Sequence, residues 1–111
     1  MKSKHLVIQS EGLGKGDDKL GSLLMANFLR LLGEKEEKPK AMIFWNTGVN
    51  LVCEGSQVLK HIQKLENAGV EILACTTCLE YFDLEDKLSV GKPTTMMKSI
   101  EAMFDGEFIA L

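Results

Sequence analysis

Four short apolar runs punctuate the chain: HLVIQS (5–10), AMIFWN (41–46), VEILAC (70–75) and the closing EFIAL (107–111). Each is too short for a stable helix and is bounded by polar or glycine-containing stretches, the pattern of strands buried on both faces. Between the runs, apolar residues recur at helical spacing. Leu20, Leu23, Leu24, Phe28, Leu31 and Leu32 form one such set. Asp17 before it suits an N-cap, Asp18 suits a first turn, and Gly33 suits a stop. Val58, Leu59, Ile62 and Leu65 mark a second helix from about Ser56 to Asn67, ended by Ala68-Gly69. TGVNLVCEGSQ (47–57) reads as a loop and CLEYF (78–82) as the start of a short helix. KLSVG (87–91) reads as a short fourth strand, and PTTMMKSIEAMF (93–104) as a helix with Pro93 near its start. Strand–helix alternation of this kind predicts a parallel sheet with helices on both faces. The expected fold class is α/β: a single three-layer α/β/α domain over 1–111, with a mostly parallel sheet of about five strands.

Size and composition agree with one domain. The chain has 111 residues, 45% hydrophobic and 26% charged, and a formal charge of −3, so no basic field recruits nucleic acid. No apolar stretch approaches the roughly 20 residues needed to span a bilayer, so no membrane partner is expected. The first residues show no secretory pattern. The three cysteines, Cys53, Cys75 and Cys78, are an odd count that argues against a disulfide framework. A cytoplasmic protein with reduced thiols is the expectation.

Parallel α/β sheets place their sites at the C-terminal edge of the strands. Four segments are expected there: Gln9 to Asp17, Trp45 to Gly55, Cys75 to Tyr81 and Val90 to Thr95. The first holds EGLGKGDDKLG, which invites a nucleotide reading and fits it poorly. Gly12-Leu13-Gly14-Lys15-Gly16 lacks the dinucleotide spacing, and Ser22 stands where a P-loop needs lysine. Asp17 and Asp18 would repel phosphate. A tight β-to-α turn with glycines at positive φ accounts for the loop, with a site-lining role as the rival.

The third segment holds C-x-x-C. Cys75 ends a predicted central strand and Cys78 lies in the first turn of the next helix. Unpaired amides and the helix dipole favour a thiolate there, and a thiolate is the nucleophilic form. Zinc would need four ligands, and no second C-x-x-C exists, so no metal or other cofactor is expected. A dithiol oxidoreductase, a sulfur carrier and two inert buried cysteines remain open from spacing alone. Cys53, in NLVCEGS (50–56), reads as a small apolar filler. His5 and His61 read as surface residues, His5 on the opposite edge, so the motif has no evident general base.

Several stretches together resemble the DsrE/DsrF-like sulfur-relay family: GKGDDKLGSLLMANFL, IFWNTGVNLVCEGS, LENAGVEILACTTCLEYFDLEDKLSVGKPTTM and FIAL. The likeness runs from about residue 4 to residue 111 and is nearest to the C-terminal domain of YedF-type selenium-metabolism proteins. It rests on the combination of G-x-G-D-x-x-L-G, N-x-G-V, E-G-S, C-x-x-C-L and V-G. Thr76 stands where the family motif has glycine, and P-T-T-M where T-N-M is typical. The resemblance implies a sulfur carrier or sulfurtransferase that passes sulfane sulfur, or selenium-linked sulfur, through a cysteine persulfide. Cys75 matches the carrier position and Cys78 the second cysteine. Gly12, Gly14, Lys15, Gly16, Asn46, Thr47, Gly48, Thr76, Thr77 and Lys92 are then expected to line the pocket, with Lys15 and Lys92 bringing positive charge toward the thiolate. YedF-like proteins generally carry a further SirA/TusA-like domain, which these 111 residues do not contain. As a stand-alone chain it is expected to work with separate donor and acceptor proteins of TusA/SirA type, and the resemblance implies a homo-oligomer, trimer or hexamer. A second apolar edge on the first helix, with Met25, Leu29 and Gly21 outside the leucine stripe, fits a subunit contact. Met96, Met97 and Met103 read as core filler. The rival function is a non-catalytic subunit of a relay complex, or a small-ligand binder with a flavodoxin-like pocket.

Overall fold

The computed structural model describes residues 3–111. Five strands form one sheet: β1 (Lys4–Ile8), β2 (Ala41–Phe44), β3 (Glu71–Cys75), β4 (Lys92–Thr94) and β5 (Glu107–Ala110). Their order is β4-β3-β2-β1-β5 and every pairing is parallel. The helices are α1 (Asp18–Glu34), α2 (Leu59–Asn67), α3 (Thr76–Tyr81) and α4 (Met96–Met103). The α/β class and the parallel five-stranded sheet are those expected.

From β1 to β4 the chain steps in one direction across the sheet. Right-handed crossovers then put α1, α2 and α3 on one face. The step from β4 back past β1 to β5 runs the other way, so α4 alone covers the second face. The first face carries the main core. Leu6, Ile8, Met42, Phe44, Ile72 and Ala74, alternate residues of the three central strands, pack with Met25 and Leu29 of α1 and Ile62 and Leu65 of α2.

The ends of α1 follow the sequence at its start. The Asp17 side chain accepts the Leu20 amide at 2.8 Å, capping the helix. Its other end runs past Gly33 to a cap at Lys35. Gly33 is buried inside the helix beside the Lys64 side chain. The core face of α1 also differs from the leucine stripe. Gly21, Met25, Leu29 and Gly33 are buried, whereas Leu20, Leu23, Leu24 and Leu31 are exposed.

Further differences lie in the second half. α2 begins at Leu59, three residues later than Ser56. Thr47–Val52, expected as loop, belong to a 3-10 helix that begins at Asn46, the last residue of the expected strand run. KLSVG is not the fourth strand. Cys53 and Leu88 form an isolated antiparallel bridge, and the Ser89 and Val90 amides both donate to the Val52 carbonyl, at 2.8 and 3.2 Å. These extended residues pair with the end of that 3-10 helix and its cap rather than with the sheet. The strand is Lys92–Thr94, with Pro93 inside it; β4 is an edge strand, where a missing amide is tolerated. α4 therefore starts at Met96, with the Thr95 hydroxyl accepting the Lys98 amide at 3.2 Å. Met96 and Met97 are exposed rather than core filler.

Candidate functional site

β3 delivers Cys75 to the C-terminal edge of the sheet, and the chain turns directly into α3. Cys75 is the N-cap of that helix, and the Cys78 amide donates to its Sγ at 3.4 Å. Cys75 is 6% exposed and Cys78 half-buried, and both are free thiols. The Cys78 Sγ in turn accepts the Asn46 amide at 3.1 Å. C-x-x-C and N-x-G-V thus meet at one point, although 32 residues separate Asn46 from Cys78.

The turn after β2 is shaped for this contact. Asn46 takes a positive φ of 53°, a region that asparagine tolerates better than other side-chain-bearing residues. Its Oδ1 accepts the Thr47 amide at 2.8 Å, and the Asn50 amide group donates to the Thr47 carbonyl at 3.1 Å. Gly48 packs against the end of β1, where an added Cβ would stand 2.5 Å from the Ile8 carbonyl oxygen. Only glycine lets the 3-10 helix lie this close. On the other side of the cysteines, the Thr76 hydroxyl donates to the Thr94 carbonyl at 2.9 Å and ties α3 to β4.

Electrostatics act on the Cys78 thiol. Burial pushes the Cys78 thiol above its ordinary value, and its hydrogen bond with the Cys75 side chain pushes it further; the Asn46 amide offsets only part of this. At Cys78 the expected lowering by the helix start is therefore overridden by desolvation. Raised in the fold, this thiol favours the folded state at pH below its unfolded value, and that contribution fades as pH climbs through the alkaline range. Iodoacetamide should accordingly alkylate Cys78 more slowly than free cysteine at neutral pH, with the rate rising only above the ordinary thiol range. Peptide mapping of a pH series checks this; a neutral-pH rate equal to that of free cysteine would contradict it.

The other expected residues divide. Gly12, Gly14 and Thr47 share the lining of a cavity of about 360 Å³, together with Asp17, Asp18 and Gly21. The carboxylates there agree with the reading against phosphate. Gly14 and Gly16 take positive φ, 82° and 124°, as a tight turn requires. Lys15, Gly16 and Thr77 are exposed, and none of the three lines that cavity. Lys92 is not at the thiol edge. It pairs in register with Leu73, and its ammonium lies 3.4 Å from Glu71 at the start of β3. That is about 13 Å from Cys75 at the rise of a parallel strand. Pro93 in the strand shifts Lys92 to the strand's first position. Cys53 is buried, with its thiol pushed up by burial and by Glu54, as an apolar filler should be. His5 lies away from the thiol edge as expected, but it is 2% exposed rather than on the surface.

His5 and Thr94 are polar residues whose environment sequence reasoning missed. Both are buried in the second face of the sheet. A signal existed for Thr94 in the edge-strand tolerance of Pro93, and for His5 in its membership of an apolar run.

No family model matches the chain, and no curated protein matches it. Solved structures do. The protein MTH1491 of Methanobacterium thermoautotrophicum, described as of unknown function, matches with a TM-score of 0.73 at 18% identity over 100% of both chains. The ychN protein of E. coli gives a TM-score of 0.73 at 14% identity over 98% of this chain and 99% of its own. BT1422 of Bacteroides thetaiotaomicron, a conserved protein of unknown function, gives 0.67 at 16% identity over 98% and 95%. At such identities the likeness establishes a shared fold and carries no activity.

Proposed function

We propose that this protein is a sulfur carrier or sulfurtransferase in which Cys75 bears sulfane sulfur as a persulfide. The observation that supports this most is the place of Cys75: it ends a central strand, caps the start of α3, and its Sγ accepts the Cys78 amide. The resemblance of the sequence to DsrE- and YedF-like proteins points the same way. In the forward step the Cys75 thiolate attacks the terminal sulfur of a donor persulfide. A new S–S bond forms at Cys75, the donor's S–S bond breaks, and the donor leaves as a thiolate. An acceptor thiolate then takes the outer sulfur and releases Cys75 as a thiolate. The donor and acceptor are protein thiols of TusA/SirA type, and no cofactor enters the step. To test this, reduced protein is incubated with a small persulfide and its intact mass read. Wild type should gain one sulfur atom, reversibly with reductant; an unshifted mass would sink the proposal.

We also propose that the outer face of α1 joins copies of the chain. Leu20, Leu23, Leu24 and Leu31 expose 53, 60, 43 and 52% of their surface on one side of a single helix. Light scattering should report an oligomer for wild type and a monomer for Leu23→Glu. A monomeric wild type would refute the contact.

A further inference from the structure

Thr94 is 4% exposed, and its Oγ1 is buried with no hydrogen-bond partner among the described residues. Buried hydroxyls are nearly always paired, so an orphan of this kind calls for a partner that arrives. Thr94 borders a cavity of about 500 Å³ beneath α4, but its Oγ1 is closed to solvent, so the hydroxyl is turned into the protein. β4 is an edge strand, and its one neighbour in the sheet is β3. The β3 residue in register with Thr94 is Cys75. Register partners on parallel strands stand on the same face, about 4.8 Å apart. The orphaned hydroxyl therefore stands beside the side chain that the persulfide reading makes the carrier.

Both backbones are fixed at this point. The Thr76 hydroxyl donates to the Thr94 carbonyl at 2.9 Å and ties the start of α3 to β4. The Cys75 Sγ accepts the Cys78 amide at 3.4 Å, and no hydrogen bond joins that sulfur to Thr94 Oγ1. What the hydroxyl lacks is an acceptor slightly farther out along the Cys75 side chain. The outer sulfur of a persulfide is such an atom, about 2 Å beyond Sγ. A hydropersulfide is a stronger acid than the thiol it comes from, so its outer sulfur carries negative charge near neutral pH. A charged acceptor in a dry site is stabilised more by a fixed donor than a neutral thiol is. Lys92, two residues before Thr94, is paired with Glu71 at the other end of β3 and leaves this role to the hydroxyl.

We propose that the Thr94 hydroxyl binds the outer sulfur of a Cys75 persulfide and holds the carried sulfur between donor and acceptor. The inference rests on the persulfide reading and names the residue that keeps its cargo. When the Cys75 thiolate attacks a donor persulfide, the donor's S–S bond breaks, an S–S bond forms at Cys75, and the donor leaves as a thiolate. The new outer sulfur gives its proton to solvent and accepts a hydrogen bond from the Thr94 O–H. This favours the loaded protein over the unloaded one.

Thr94→Val keeps the shape of the side chain and removes the hydroxyl, whereas Thr94→Ser keeps the hydroxyl. Each chain is equilibrated with a mixture of a small persulfide and its thiol, and the loaded fraction is read by intact mass. Thr94→Val should shift the loading equilibrium about tenfold toward the unloaded form, and Thr94→Ser should restore most of it. Unloaded Thr94→Val should melt no lower than wild type, because it loses an unpaired buried hydroxyl and no hydrogen bond. A purely structural role would lower the melting temperature instead. Loading of Thr94→Val equal to wild type would overturn the inference and leave Cys75 as the carrier. So would an equal loss in Thr94→Ser. A wild type that takes up no sulfur would overturn the persulfide reading and this inference with it.

Discussion

Replacing Leu29 by alanine should destabilise the protein by about 2–5 kcal/mol, the range for a fully buried leucine. Leu23→Ala, measured at dilutions where the chain is monomeric, should change stability by less than about 0.5 kcal/mol. Leu29 is 0% exposed and Leu23 is 60% exposed, although both belong to the same helix. Chemical denaturation checks the pair; equal losses would mean that α1 is turned differently about its axis. The contrast is large because Leu29 lies with Met25 in the core cluster against the even-numbered face of the sheet, and its truncation leaves a void there.

The same helix shows why its orientation was not legible in the sequence. Leucines carry the strongest apolar signal, so a periodicity reading takes them as the core stripe. The core stripe is instead Gly21, Met25, Leu29 and Gly33, each four residues from the last. Two of these are glycines, which carry no apolar side chain, and the value of Gly21 lies in close approach. Gly21 receives the β1–α1 loop, with its carbonyl accepting the Leu13 amide at 3.1 Å and Gly12 lying against it, and Gly33 meets Lys64. Close approach depends on what lies opposite, and that is known only once the fold is built. The order of elements, the strand runs of the central sheet and the Asp17 cap were legible because each rests on local pattern. The fourth strand was not: KLSV has strand composition, but its partners lie at the end of the 3-10 helix after β2.

A second large effect is expected at Gly48. Gly48→Ala should destabilise by about 1–3 kcal/mol, the cost of overpacking, because its Cβ would stand 2.5 Å from a backbone oxygen of β1 that cannot move alone. The turn from Trp45 to Val49 would have to lift. Because the Asn46 amide sits in that turn on the Cys78 sulfur, the substitution should also change the alkylation rate of Cys78. A Gly48→Ala protein with wild-type stability and wild-type Cys78 reactivity would show that the turn does not hold the site.

That coupling also marks what was legible of the site. The strand-end position of Cys75 and its place at the start of a helix follow from sequence. The meeting of Asn46 with Cys78 was expected only as a shared pocket, and the donor turns out to be a backbone amide, which no residue type announces. Lys92 was misplaced because its register depends on where a proline-containing edge strand begins. Burial of the Cys78 thiol, which overrides the effect of the helix start, likewise depends on packing from elements distant in sequence.

The central claim, that Cys75 carries the sulfur, is tested most directly by locating the added sulfur. After exposure to a small persulfide, each protein is digested without reduction and the cysteine peptides are weighed. The expected result is one extra sulfur on Cys75 in wild type, retained in Cys78→Ser and lost in Cys75→Ser. Sulfur on Cys53 or Cys78 in wild type, or an equal gain by Cys75→Ser, would contradict it.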